Sequence, residues 1–389
     1  MKFSILIPTR NRSDTLYHAI RSVLAQTCPD FELVVMDNAT IDDTPQVVAS
    51  FNDQRIKYVR TEQALSMADN WEVGLANTAG DYVFVMGDDD AMLPDGLEIC
   101  RVLAKQHAPE IISWARYFYT WPNAVIPHTR NMLYLHFSQE IYPLNGKEIL
   151  QQYYQSKISF ESLPMIYNSF VSRELIDRIK GITGRYFSFP IPDVFSGVAN
   201  AYFANSYLYS NRSISLSGSS GSSLGAAATL GIEKSSQEYF EREVGQWKIQ
   251  REELLADPVE GIENLSTPEF GNAMVMFAAK DILFPNDDSI TVDMPAIVMA
   301  IATGLKVNPA QYVLCVEYVS NLAKRYNLDI TLPKEVASRV TSSIKHGPIY
   351  DSDGRIQQII VNCQHAGIEN AADAAKLAYA ILPPILVSR

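Results

Sequence analysis

DYVFVMGDDDAMLPDGL, residues 81–97, is the stretch on which the reading of this chain turns. Residues 81–87 form an apolar run with the character of a buried strand. Asp88, Asp89 and Asp90 follow at once, and after Pro94 the pattern becomes helical, with Leu97, Cys100 and Leu103 on one side. Three adjacent carboxylates repel one another. Placing them at the exit of a buried strand is unfavourable unless a cation or hydrogen-bond donors compensate. Carboxylate oxygens without a nearby thiolate or histidine cluster suit Mg2+ or Mn2+ better than zinc. In an open α/β sheet, ligands bind outside the carboxyl ends of the strands, where this triplet is expected. The same residues would also serve as a solvated turn that caps the next helix.

Working towards the N-terminus, FSILIP (3–8), FELVVMD (31–37) and RIKYVRT (55–61) read as further strands. Between the first two, Ser13 or Asp14 is expected to cap a helix whose Leu16, Ile20, Val23 and Leu24 share a face. Another helix is expected through Met67, Trp71 and Leu75, with Gly80 near its end. This alternation is the pattern of a parallel sheet flanked by helices. Two more strand ends carry polar residues: Pro8-Thr9-Arg10-Asn11-Arg12 after the first strand and Asp37-Asn38-Ala39-Thr40 after the second. Asn and Asp there are suited to a nucleobase edge and ribose hydroxyls, and Arg10 or Arg12 to phosphate. Each loop alone is also ordinary turn chemistry; three on neighbouring strands are harder to dismiss.

Towards the C-terminus, EIISWARYFYTW (110–121) resumes strand character, and GKEILQQYYQ, SRELIDRIKG and DVFSGVANAYF look helical. SGSSGSSLGAA (217–227) reads as a flexible linker or a lid. From about 233 onward amphipathic helices dominate, including SQEYFEREVGQWKIQREELLA and PAQYVLCVEYVSNLAKRY. The expected division is residues 1–225 as a nucleotide-binding unit and 226–389 as a helical domain that shapes part of the site or mediates self-association.

With 389 residues, 47% of them hydrophobic, the chain can bury a sizeable core. Its formal charge of -12 argues against nucleic-acid binding, which needs clustered Lys and Arg. The four cysteines show no paired spacing, so a disulfide framework and a thiolate zinc site are both disfavoured and a cytoplasmic setting is expected. No leader is read at the N-terminus, and the apolar stretch AAKLAYAILPPILV is too short for a transmembrane segment.

The stretch SILIPTRNRSDTLYHAIRSVLAQTCPDFELVVMDNATIDDT resembles the opening of family 2 glycosyltransferases of the GT-A type, and MGDDDAMLPDGL resembles their metal-binding DxD element. The similarity is dense over about residues 3–105 and thinner to about 225. It implies a GT-A fold, a doubly wound, mostly parallel α/β sheet, and an inverting enzyme that moves a sugar from a nucleoside-diphosphate sugar to an acceptor hydroxyl. Pro8, Thr9, Arg10 and Asn11 would lie beside the nucleotide, Asp37 and Asn38 would recognise the base, and Asn70 would contact the donor. Asp88 would approach the ribose or the hydrated metal, while Asp90, or Asp89 in some members' pattern, would ligate Mn2+ or Mg2+ at the diphosphate. Asn38 stands where many members carry a second Asp, leaving uridine the first expectation and thymidine the second.

Asp193, at the head of an apolar helical run after Pro192, is the candidate base, with Asp177 and Glu161 as substitutes. Bacterial surface polysaccharide or lipid-linked glycan is the acceptor class the resemblance suggests, with peripheral attachment at the inner membrane. Two other readings are a non-catalytic sugar-nucleotide binding protein and a sugar-nucleotide pyrophosphorylase. The latter normally opens on a Gly-rich phosphate loop, which PTRNRS lacks.

Overall fold

The computed structural model describes residues 1–223, 268–304, 312–330 and 346–383. The first half runs β1 (Phe3–Thr9), α1 (Ser13–Leu24), β2 (Phe31–Asp37), α2 (Thr44–Ser50), β3 (Ile56–Arg60), α3 (Met67–Ala76), β4 (Tyr82–Val85), β5 (Ala91–Met92), α4 (Gly96–His107), β6 (Ile111–Trp114) and β7 (Tyr117–Thr120). Next come β8 (Met132–His136), β9 (Ile141–Asn145), α5 (Gly146–Tyr154), β10 (Ser169–Ser172), α6 (Arg173–Thr183), α7 (Pro192–Phe203), β11 (Ser206–Ser210) and β12 (Ser215–Ser219). The remainder contains α8 (Pro268–Leu283), α9 (Met294–Gly304), α10 (Tyr312–Arg325), β13 (Gly347–Tyr350), β14 (Ile356–Asn362) and α11 (Ala371–Ile381).

An eight-stranded sheet has the order β3-β2-β1-β4-β10-β6-β11-β9. Its β3-β2-β1-β4 portion is parallel, as the alternating pattern predicts, whereas β10 runs antiparallel to both neighbours and β9 antiparallel to β11. Leu6, Val34 and Val83 face one cluster of buried residues and Ile5, Val35 and Phe84 face the other, which is why these strands read as unbroken apolar runs. β1 lies between β2 and β4, so the chain winds outward on one side before crossing to the other. That reversal opens a crevice at the carboxyl ends.

A six-stranded sheet, β13-β14-β8-β7-β12-β5, stands beside the first. Helices appear at the C-terminal side as expected, but β13 and β14 also come from there, and β14 pairs along β8. Moreover, one buried cluster runs from Leu6 and Val83 through α5 and α7 to Met274, Val275 and Val298. The expected helix at 236–256 lies outside the described residues.

Three local readings change. Neither Ser13 nor Asp14 caps α1: Arg12 holds the cap position without a side-chain bond, and Asp42 Oδ2 accepts from Ser13 N at 2.8 Å. The continuous strand read at 110–121 is two strands, each in a different sheet. Residues 217–219 of the Gly/Ser segment are the end of β12 rather than a linker, held in register with Phe118–Thr120. Among the described residues, no helix is long and apolar enough to cross a membrane.

Candidate active site

The carboxyl ends of β1 and β2 are level, since Thr9 pairs with Asp37, and β4 ends beside them. This register brings the loop after β1 against the acidic triplet. Thr9 Oγ1 donates to Asp88 Oδ2 at 2.8 Å, and Arg12 Nη1 donates to Asp88 Oδ1 at 2.9 Å. Arg12 also donates to the Ser222 carbonyl, and the neighbouring carboxylates hold its guanidinium strongly in the charged form.

All three aspartates are buried. Asp89 Oδ2 accepts from Ser220 N at 3.2 Å and Ser220 Oγ at 2.7 Å, while its carbonyl accepts from Trp121 Nε1 at 2.9 Å. Asp90 Oδ1 accepts from Gly218 N at 2.6 Å and Oδ2 from Gly87 N at 2.9 Å, with the Tyr167 hydroxyl as a third donor. The Gly/Ser segment therefore forms one wall of the acidic site. It also explains Gly218: a Cβ there would stand 1.8 Å from the Asp89 carbonyl oxygen, so β12 could not approach the triplet with any side chain at that position.

Hydrogen-bond donors thus provide much of the compensation that the sequence demands. They do not remove the charge imbalance. Burial and the Asp89 charge push the Asp90 carboxyl up to about 7, and burial with Asp88 raises that of Asp89. Arg12 is the cation paired with the triplet, against three carboxylates. An all-oxygen, net-negative donor set fits a hard divalent cation. Among the described residues, no three His, Cys, Asp or Glu side chains form a metal site by themselves. Further ligands would have to come from elsewhere, as with Mg2+ held by one or two carboxylates, water and substrate phosphates. Asp89 Oδ1 takes part in none of the hydrogen bonds above.

The second strand end is ordered by its own polar side chains. Asp37 Oδ1 accepts from Thr40 N at 2.8 Å, Oδ2 accepts from the Tyr58 hydroxyl, and Arg60 Nε lies 3.7 Å from Oδ2. Asn38 bonds both ways with Leu65, donating to its carbonyl at 3.0 Å and accepting from its amide at 2.7 Å. Asn11 adopts a left-handed backbone, φ 53°, and its Oδ1 accepts from Ile41 N at 2.8 Å, tying the first loop to the second. Pro8 pairs with Met36 in the sheet and Arg10 is half-buried beside Thr9. Asn70 is buried in α3, its Oδ1 without a hydrogen-bond partner among the described residues.

Asp193 occupies the first turn of α7. Burial raises its carboxyl, while the Val194 amide and the Arg116 charge pull it back. Arg116 also acts on Tyr167, whose hydroxyl contacts Asp90, so these two side chains link the acidic triplet electrostatically to Asp193. Arg116 Nη2 lies 2.5 Å from Glu161 Oε1, which assigns that carboxylate a cationic partner. Tyr167 stacks on Trp71, with their planes 9° apart. Asp177 sits on α6, where its charge acts on Arg173.

Sequence reading did not single out Arg116, Tyr167, Ser220 or Tyr58. Arg116 and Tyr167 fall in stretches with no polar cluster, and Ser220 was hidden in the Gly/Ser segment.

The family model described as glycosyl transferase family 2 matches residues 4–176. Over those residues, a little under half of the chain, the sequence is similar to that family. A Campylobacter jejuni GalNAc(5)-diNAcBac-PP-undecaprenol beta-1,3-glucosyltransferase is 35% identical over 99 residues, covering 25% of this chain and 32% of the relative. An Escherichia coli UDP-Glc:alpha-D-GlcNAc-diphosphoundecaprenol beta-1,3-glucosyltransferase is 33% identical over 96 residues, covering 25% and 38%. An uncharacterized glycosyltransferase of Rickettsia conorii is 35% identical over 100 residues, covering 25% and 16%. The chain therefore spans well under half the length of each of these relatives. The S. aureus TarS 1–349 structure aligns over 86% of this chain and 97% of that one, with 14% identity and a TM-score of 0.47. The matched residues include all three strand-end loops and the Asp88–Asp90 triplet, while Asp193 and the Ser220 wall lie beyond them.

Proposed function

We propose that this chain is an inverting glycosyltransferase that moves a sugar from a nucleoside-diphosphate sugar, UDP before dTDP, to a hydroxyl of a bacterial saccharide or lipid-linked glycan. The observation that carries the reading is the meeting of Thr9 and Arg12 with Asp88 at the β1–β4 crevice, within the residues similar to family 2. Beside it, Asp37 and Asn38 supply the polar edges that a base and ribose need, and Asn70 offers a buried oxygen without a hydrogen-bond partner among the described residues. The lipid-linked acceptors named for two relatives support the acceptor class.

In this proposal Asp88, Asp89 and Asp90 form the acidic wall that faces the diphosphate, and Mg2+ or Mn2+ would be held by Asp88 and Asp90, with Asp89 Oδ1 the oxygen left outside the hydrogen bonds already made. Bound there, the ion would offset charge on the departing nucleoside diphosphate. Asp193 takes the proton of the incoming hydroxyl as its oxygen bonds to the anomeric carbon. The bond from that carbon to the phosphate oxygen breaks on the opposite side, which gives inversion. A raised carboxyl suits a base working near neutrality. Residues 226–389 shape the acceptor side or provide a surface for self-association, with peripheral attachment at the inner membrane.

Calorimetric titration with a panel of sugar nucleotides, with and without Mn2+, followed by an assay for nucleoside-diphosphate release, tests this. Metal-dependent binding of one donor with release of its diphosphate is expected. Binding without release, in wild type and Asp193→Ala alike, would favour a non-catalytic binding protein.

A further inference from the structure

A second concave feature lies away from the acidic triplet, between the turn that ends α5 and the start of α8. It encloses about 290 Å3 and is lined by Tyr153, Lys157, Phe160, Glu269, Asn272 and Met276, among others. That volume sits at the lower end of the ~300–1,000 Å3 usual for small-molecule sites, room for one sugar ring rather than a long glycan.

Its chemistry is unevenly satisfied. Tyr153 donates to Asn272 Oδ1 at 2.5 Å, which fixes the floor. Glu269 Oε2 is buried without a hydrogen-bond partner among the described residues. A buried carboxylate oxygen in that condition is costly, and the cost falls when a ligand brings hydroxyl donors to it. Burial raises the Glu269 carboxyl, and its own backbone amide offsets that only in part. Phe160, partly buried against the core, offers an apolar surface for the C–H face of a sugar.

The floor of the cavity lies within electrostatic reach of Asp193. After burial, the Asp193 charge is the next cause that raises the Tyr153 phenol, so the carboxylate proposed as base acts on a residue that lines this space. The turn at 156–160 also leads directly into Glu161, the partner of Arg116.

We infer that this cavity holds a sugar ring of the acceptor, with Glu269 accepting from its hydroxyls and Phe160 covering its apolar face. The inference rests on the transferase reading above and assigns a role in that reaction to α8, outside the matched family 2 region.

The test uses the full chain. Saturation-transfer NMR with free glucose, galactose, N-acetylglucosamine and mannose as probes would be run on wild type, Glu269→Ala and Phe160→Ala. Each protein would also be titrated with the panel of sugar nucleotides in the presence of Mn2+ and checked by circular dichroism. At least one sugar should give a signal with wild type that weakens about tenfold or more in folded Glu269→Ala, the loss expected for a charge-assisted hydrogen bond, and that also weakens in folded Phe160→Ala, with nucleotide binding unchanged. No sugar signal despite intact nucleotide binding, or a signal indifferent to both substitutions, overturns the cavity assignment alone. Failure of wild type to bind any sugar nucleotide overturns the transferase reading itself.

Discussion

Arg12 donates to Asp88 Oδ1 at 2.9 Å, joining the loop after β1 to the loop after β4 and placing a cation against the acidic triplet. Arg12→Ala should therefore do more than delete a contact. Removing one partner of a buried ion pair typically costs about 3–5 kcal/mol; with the Arg12 side chain still 18% exposed, a loss of about 2 kcal/mol is expected. Because the triplet would then lack its cation, Mn2+ should restore part of the stability. Urea unfolding with and without Mn2+ measures both effects. A variant as stable as wild type would show that the aspartates need no cationic partner.

Gly218 predicts a steric consequence. Its Cβ would fall 1.8 Å from the Asp89 carbonyl oxygen and 2.6 Å from the carbonyl carbon, atoms that cannot swing aside as a side chain can. Gly218→Ala must move β12 or the triplet, loosening the 2.6 Å bond to Asp90. A destabilisation of about 1–3 kcal/mol is expected from overpacking, together with weaker nucleotide binding. Gly181→Ala, where a Cβ meets nothing within 4 Å, is the control. Equal melting temperatures for the two variants would contradict the geometry.

Both substitutions fall where sequence and structure diverge most usefully. The parallel strands were legible because β1, β2 and β4 bury residues on both faces and so form apolar runs that end in polar loops. The acidic triplet was legible because its charge cost is local to three adjacent residues. Its satisfaction was not, since Ser220 reaches Asp89 across 131 positions and Gly218 reaches Asp90 across 128. A Gly/Ser stretch looks like a linker by composition; pairing between β12 and β7 is what makes it a wall. Likewise, Asp42 caps α1 from a different loop, a relation that no periodicity within α1 encodes.

His18 on α1 offers a pH test separate from the site. Burial and then the Arg21 charge lower it from its ordinary value of 6.5. Being harder to protonate when folded, it leaves stability intact above pH 6.5 and removes some as pH falls through that value towards its lowered one. Buried carboxyls raised on folding, such as Glu269, act in the opposite sense, so total stability is a poor readout. The difference between wild type and His18→Gln isolates the effect. Wild type should lose ground to the variant between pH 7.5 and 5.5, on the order of one pH unit either side of the ordinary value. A pH-independent difference would show that His18 titrates alike folded and unfolded.

Asp193→Asn separates binding from transfer. The amide keeps the size of the side chain at the first turn of α7 but cannot take a proton. Donor affinity should persist while transfer falls about 10²–10⁴-fold, the usual contribution of a general base. Wild-type rates from a pure preparation would remove Asp193 from the mechanism and turn attention to Glu161 or Asp177.

Arg116 tests the same assignment without touching the proposed base. Its charge lowers the Asp193 carboxyl against the upward push of burial, so Arg116→Ala should raise that carboxyl further. A base works only when deprotonated, and the acidic limb of kcat/KM must then move to higher pH. Glu161→Gln should do the reverse: with its 2.5 Å partner neutral, Arg116 bears more fully on Asp193 and the limb moves lower. Opposite shifts from two residues that form one ion pair are difficult to obtain from misfolding, which would lower the rate without moving the limb. If both profiles coincide with wild type, the group that titrates in catalysis lies beyond the reach of Arg116, and Asp193 is not that group.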